Sequence, residues 1–253
     1  MKPIKFNFEN SNDYYIREAF KVLRTNIQFC GADIKVIALT SCESNEGKTF
    51  VCIELARAMA EGGHKVLFID TDMRKSVIAS RYTEETGFVG LSHYLSGMAG
   101  RDEVIYTVEN GGFDLIFAGI FPPNPVELLG SNCFRQLLEE EKENYDYILI
   151  DTPPVGMVID GAVVSACCDS AIIVVSAGVI SYRFVQQVKQ QIEKSGCHVL
   201  GVVLNHVHKL NGAYSKKYYG NYKGYGYYAT QPEKKKKKNT RPQQTIIAAN
   251  DNK

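Results

Sequence analysis

Six runs of apolar and β-branched residues punctuate the chain: IKVIALTS (34–41), KVLFID (65–70), FDLIFAG (113–119), YDYILID (145–151), SAIIVVSAG (170–178) and HVLGVVLN (198–205). None alternates apolar with polar residues, so each predicts a strand covered on both faces, as in parallel sheets. Between them, GKTFVCIELARAMAEGG, NPVELLGSNCFRQLLEEEKEN and SYRFVQQVKQQIEKSG have helical spacing and predict crossover helices. Repetition of strand, crossover and strand predicts an α/β domain with a doubly wound, mainly parallel sheet. Ligands of such sheets bind beyond the carboxyl ends of the strands, so the chemistry is expected where the six runs end.

The pattern stops after Asn211. Residues 212–228, GAYSKKYYGNYKGYGYY, contain no Leu, Ile or Val, yet hold seven of the chain's fifteen tyrosines. Such a segment cannot offset its ordering entropy by burial, and it predicts a mobile tail. Residues 229–253, ATQPEKKKKKNTRPQQTIIAANDNK, have the composition of a disordered basic tail. The expected organisation is therefore a folded domain over 1–211, a tyrosine cluster over 212–228 and a disordered end over 229–253.

Composition adds three constraints. A chain of 253 residues with 45% hydrophobic content suffices for one sizeable core. The net charge of +1 hides an asymmetry: residues 212–253 carry ten Lys or Arg against two acids, a balance of +8, which leaves −7 for residues 1–211. Seven cysteines without CxxC spacing predict reduced thiols packed as small hydrophobes, and the histidines have no ligand partners at fixed spacing. The chain has no apolar run long enough for a membrane span, and its start, MKPIKFNFENSND, lacks a signal peptide's hydrophobic stretch. Those features predict a cytosolic protein.

Candidate chemistry sits where the topology expects it. The first strand runs into SCESNEGKTF, in which Gly47, Lys48 and Thr49 open a helix. In a P-loop the backbone N–H groups surround phosphates, the lysine reaches the β- and γ-phosphates and the hydroxyl binds Mg²⁺. Ser44, Asn45, Glu46, Gly47, Lys48, Thr49 and Phe50 are thus the candidate nucleotide-binding residues, although Cys42 replaces the first glycine of GxxxxGK[ST]. KVLFIDTDMRK places Asp70 and Asp72 at a strand end, where a period of two turns both carboxylates the same way. YDYILIDTPP places Asp151 at the end of another strand, as in a Walker B site. Three acids in one crevice need a cation and a lysine to neutralise them, which a bound Mg–nucleotide and Lys48 supply. Thr49, Asp72 and Asp151 are the candidate Mg²⁺ ligands. Asn205, at the tip of the last run, either reads adenine through its amide or forms a turn.

These residues resemble a known family. SCESNEGKT, VLFIDTDMR, ILIDTPP, the C-terminal tyrosine cluster and IREAFKVLRTNIQF (16–29) are similar to the bacterial tyrosine kinases (BY-kinases) that control capsule and exopolysaccharide synthesis, a branch of the MinD/ParA-like P-loop ATPases. GLSHYLSG (90–97) and PPNPVELL (122–129) are similar as well, and the likeness spans about residues 14 to 228. It implies a separate cytoplasmic kinase that uses ATP and Mg²⁺, with Lys48, Asp70, Asp72 and Asp151 as catalytic residues and Asp70 as the base. It implies phosphorylation of Tyr214, Tyr218, Tyr219, Tyr222, Tyr225, Tyr227 and Tyr228. Glu18, Lys21 and Arg24 match an ExxRxxR oligomerisation motif whose middle arginine is here a lysine, implying a homo-oligomeric ring such as an octamer. The implied partners are a membrane modulator of the chain-length-determinant type, which recruits the kinase to the inner face of the plasma membrane, and a tyrosine phosphatase.

Three other readings stay open on the residues alone. A positioning ATPase of the MinD/ParA class would carry a signature lysine where Glu43 stands, and it needs no acceptor tyrosines. A non-catalytic regulatory subunit of a polysaccharide exporter fits Cys42 and also Asn45, which stands where the family commonly has glycine. Tyrosines mixed with Lys and Gly also suit stacking on single-stranded nucleic acid; the nucleotide site upstream favours acceptor tyrosines and no nucleic acid. Lys234 to Lys238 read as a solvated charge run or as an attraction to anionic lipid.

Overall fold

The computed structural model describes residues 1–8 and 14–207. The described strands are β1 (Lys2–Ile4), β2 (Val36–Ser41), β3 (Val66–Asp70), β4 (Ile105–Val108), β5 (Phe113–Ile116), β6 (Tyr147–Asp151), β7 (Ser170–Ser176) and β8 (His198–Asn205). The longer helices are α1 (Tyr14–Phe29), α2 (Lys48–Glu61), α7 (Asn132–Glu141) and α9 (Tyr182–Lys194). Shorter ones are α3 (Ile78–Tyr82), α4 (Leu91–Leu95), α5 (Arg101–Val104), α6 (Pro125–Leu129) and α8 (Asp160–Ser165).

All six expected strands lie in one sheet, in the order β1-β4-β5-β3-β6-β2-β7-β8. Every neighbouring pair from β5 to β8 in that order is parallel; β4 and β5 pair antiparallel. Strand side chains alternate between two apolar layers. Ile37, Leu39, Val66, Phe68 and Leu149 share one layer with α2 and with Phe20 and Ile27 of α1. Val36, Leu67, Ile69, Ile148 and Ile150 face the other way, toward Phe134 and Leu137 of α7. Cover on both faces explains why the inner runs lack a polar alternation; β8, at the sheet edge, departs from that expectation, because its Val202 and Leu204 face outward and are more than half exposed.

Two elements differ from expectation. The segment 124–144 forms two helices instead of one, because the chain breaks at Gly130 and restarts at Ser131, whose hydroxyl accepts the Phe134 N–H at 3.3 Å. A glycine followed by a capping serine favours that break. The strands β1 and β4 were not anticipated; both are short, and they extend the sheet beyond β5. Among the described residues no helix is long and apolar enough to cross a membrane.

Candidate active site

Where β2 ends, residues 42–47 curl back before α2 begins at Lys48. Asn45 (φ 65°) and Gly47 (φ 79°) are left-handed, a conformation that glycine adopts freely and asparagine tolerates. A side chain at Gly47 would meet the Asn205 amide at 2.1 Å, so a glycine is required there. Glu46 is buried, and its carboxylate accepts the Glu43 N–H at 2.8 Å and the Ser176 N–H at 2.9 Å. Asn205 Nδ2 donates to the Glu46 carbonyl at 2.9 Å. Glu46 and Asn205 thus pin the loop to the ends of β7 and β8.

Beside the loop, the register of β3 on β6 sets Asp70 opposite Asp151. Both are 1% exposed and Lys48 is 7% exposed. Lys48 Nζ donates to Asp151 Oδ1 at 2.5 Å, and the Thr49 hydroxyl donates to Oδ2 at 2.7 Å. Asp70 Oδ1 accepts the Asp72 N–H at 3.0 Å, and its Oδ2 accepts the Ser76 hydroxyl at 2.5 Å. The period-two argument for Asp72 does not apply, because β3 ends at Asp70 and Asp72 lies in the following turn. That turn still brings it close enough for its charge to act on both Lys48 and Asp151.

Burial works against the Lys48 charge, but the Asp151 carboxylate outweighs it and holds the ammonium protonated above its ordinary range. Burial likewise pushes the Asp151 carboxyl up, against the pull of Lys48 and Thr49. Asp70 is pushed up to about 7 by burial and by the Asp151 charge, with Ser76 and Lys48 opposing. A buried carboxyl in this range can take a proton near neutral pH. Cys42 is buried and its thiol is pushed up to about 12 by burial and by Glu46 and Glu43, so it packs the loop and is no nucleophile at neutral pH.

The remaining expected residues are placed unequally. Ser44 is exposed, with its hydroxyl 3.4 Å from the Met157 sulfur. Phe50 turns its ring onto Phe20 of α1, leaving only its backbone for a phosphate. One N–H of the Asn205 amide is held by the loop backbone, which leaves its second N–H and its oxygen for the other role expected of it. In α1, Lys21 pairs with Glu18 at 2.7 Å, whereas Arg24 donates to the Ala58 carbonyl of α2 at 2.6 Å. The seven tail tyrosines and the expected boundaries at 211 and 228 lie outside the described residues.

Sequence reasoning missed two contributors. Ser76 is one, since a serine six residues beyond Asp70 gives no spacing signal. The other is the Arg74 guanidinium, which forks onto the buried Asp160 (2.8 and 3.2 Å) and ties the turn after β3 to the start of α8. The arginine of D-x-D-x-R was visible in the chain; its partner, 86 residues away, was not.

Among the described residues no group of three or more His, Cys, Asp or Glu forms a ready metal cage. The donor set nevertheless suits Mg²⁺, which takes hard oxygen ligands, one or two carboxylates and substrate phosphates. The Thr49 hydroxyl touching Asp151, with Asp72 near, offers such a set.

Comparison with known proteins gives the same picture. The family model described as an AAA domain matches residues 34–199. Tyrosine-protein kinase CpsD of Streptococcus agalactiae is 39% identical over 205 residues, covering 81% of this chain and 89% of that protein. The solved kinase domain of the Escherichia coli tyrosine kinase ETK matches with TM-score 0.73 at 35% identity, over 78% of each chain. The chimerical protein CapA2B2 matches with TM-score 0.73 at 32% identity, over 82% of this chain and 94% of that one. With a lysine, a hydroxyl and paired carboxylates gathered beside its strand ends, and this likeness running through most of its length, the chain belongs to the bacterial tyrosine kinases.

Proposed function

We propose that this tyrosine kinase transfers the γ-phosphoryl group of ATP to Tyr214, Tyr218, Tyr219, Tyr222, Tyr225, Tyr227 and Tyr228 of a neighbouring copy, within a ring of identical subunits, and so regulates capsule or exopolysaccharide synthesis and export. The observation that carries the reading is the meeting of Lys48, Thr49, Asp70 and Asp151 at adjacent strand ends, in a chain that also bears seven tyrosines in a segment of 17 residues.

In this reading the N–H groups of residues 44–50, at the start of α2, surround the phosphates. Lys48 exchanges Asp151 for β- and γ-phosphate oxygens. Thr49, Asp72 and Asp151 would hold Mg²⁺, which would supply charge neutralisation at the transferring group. Tyrosine is a weak nucleophile at neutral pH, since its pKa lies near 10. Asp70 takes the phenol proton as the phenol oxygen bonds to the γ-phosphorus; the bond from that phosphorus to the β–γ bridging oxygen breaks, and ADP leaves. A base near 7 suits that transfer.

The ring draws on α1, where Glu18 and Lys21 are only partly covered, while Arg24 holds α1 against α2. The +8 of residues 212–253 is attracted to the −7 of a neighbour's residues 1–211. A membrane modulator of the chain-length-determinant type recruits the kinase to the inner face of the plasma membrane, and a tyrosine phosphatase resets it.

The test mixes two full-length variants with Mg-ATP. One is Lys48→Met, with an intact tail; the other is active, with its seven tail tyrosines replaced by phenylalanine. Phosphate on the Lys48→Met tail, appearing only in the mixture, supports transfer between copies. A tail that stays bare in the mixture, while the parent phosphorylates itself, contradicts it.

A further inference from the structure

A cleft of about 330 Å³ opens between α3, the loop 83–88 and the turn 117–120. Its apolar wall is the stacked pair Phe88 and Phe117, with ring centroids 4.0 Å apart at 18°, continued by Ala79 and by Ile120, which is 55% exposed. At its other end stands Ser76, whose hydroxyl donates to Asp70 Oδ2 at 2.5 Å. The cleft is therefore separated from the buried Asp70 carboxylate by one hydroxyl. Among the described residues, Glu85 is the only ionisable one lining it. The turn 117–120 packs on α4 through Gly119 (φ 84°), where a Cβ would meet the Ser92 hydroxyl at 2.5 Å.

These features match a particular guest. Aromatic rings pack favourably against other rings, a phenol O–H can replace a serine O–H on the same carboxylate oxygen, and a single carboxylate at the wall favours a cationic neighbour. We propose that the cleft is the acceptor subsite, holding the ring of a substrate tyrosine that has small and lysine neighbours, and that the phenol takes the place of the Ser76 hydroxyl on Asp70. The stretch SKKYYGNYKGYG (215–226) has this composition, and so would a preferred external protein substrate. This inference rests on the proposed transfer to tyrosine, and on the position of Asp70 behind the Ser76 hydroxyl.

The test uses the full chain with its seven tail tyrosines changed to alanine, so that the tail does not compete. The probe is a fluorescent peptide of sequence GAYSKKYYGNYKGYG, with an all-alanine twin in place of its tyrosines. Ser80→Leu fills the cleft and Ile120→Ala removes part of its wall; neither residue belongs to the nucleotide site. Both should raise the KM for the tyrosine peptide, Ser80→Leu by about tenfold, or about 1.4 kcal/mol, while leaving kcat and ATP affinity unchanged. The peptide's anisotropy-measured Kd should rise in parallel, and the alanine twin should not bind. Unchanged KM and Kd in both variants overturn the subsite. If no phosphate is transferred, binding decides: loss of binding in Ser80→Leu supports the cleft, and equal or absent binding refutes it. Rapid transfer by Asp70→Asn would instead sink Asp70 as the base while leaving the cleft to be judged by binding.

Discussion

Replacing Asp70 by asparagine should abolish phosphoryl transfer and at the same time stabilise the protein. Asp70 is 1% exposed, and burial together with the Asp151 charge moves its carboxyl from 3.8 to about 7. In the unfolded chain it titrates at about 3.9. Between roughly pH 4 and pH 7 the folded state therefore binds a proton that the unfolded state has released, so stability falls as pH rises through that window. Above it the full cost, on the order of 4 kcal/mol, is present. Asparagine has the same shape without the charge: its oxygen can accept the Asp72 N–H and its amide can donate to the Ser76 hydroxyl, the two positions that hold Asp70 now. Urea unfolding of the nucleotide-free protein in EDTA should show Asp70→Asn more stable than the parent at about pH 8, by a few kcal/mol, with the gap closing toward about pH 5. Against a domain stability of about 5–15 kcal/mol such a gain is easily measured. Equal stability at about pH 8, or a gap that does not change with pH, refutes the argument that this carboxylate is held under electrostatic stress for its chemistry.

Lys48→Met acts in the opposite direction, because it leaves the Asp151 carboxylate buried without its cation; unfolding of the nucleotide-free variant should show a loss of about 3–5 kcal/mol at neutral pH. Glu46→Ala strands the buried Ser176 N–H, so melting should report a loss of about 1–3 kcal/mol, and titration with a fluorescent ATP analogue should show weakened binding through a loosened loop. Phosphorylation of all seven tail tyrosines would add about −10 to −14 charges and turn the +8 segment negative. Sedimentation should then report a smaller assembly for the phosphorylated protein, and an unchanged oligomer would contradict the electrostatic account of ring assembly.

The parallel sheet was legible because its inner strands are buried on both faces: VIAL (36–39) and YILI (147–150) read as short apolar runs without polar alternation. By contrast β1 and β4 are only 3 and 4 residues long, and too short for periodicity to speak. The hairpin joining β4 to β5 did leave a mark in ENGGF (109–113), where Gly112 takes φ 73°, a turn signal between two short β-branched stretches. The site was legible where a residue lies at a strand end, as with Asp70 and Asp151, or opens the helix after one, as with Lys48. It was illegible where a side chain works through a distant contact. Nothing local says that Glu46 reaches Ser176, that Asn205 donates to the Glu46 carbonyl, or that Arg74 finds Asp160. Asp72 comes near the acids through the turn after β3 and not through the strand itself.

The most direct test of the account is mass-spectrometric mapping of phosphotyrosine on the purified full chain given Mg-ATP, with membranes from the source cell as a supply of activator and Lys48→Met in parallel. The account predicts phosphate on tyrosines between Tyr214 and Tyr228 in the parent and none in the variant. Bare tyrosines with steady ATP consumption would contradict it in favour of a positioning ATPase, and bare tyrosines without ATP turnover would leave a regulatory subunit.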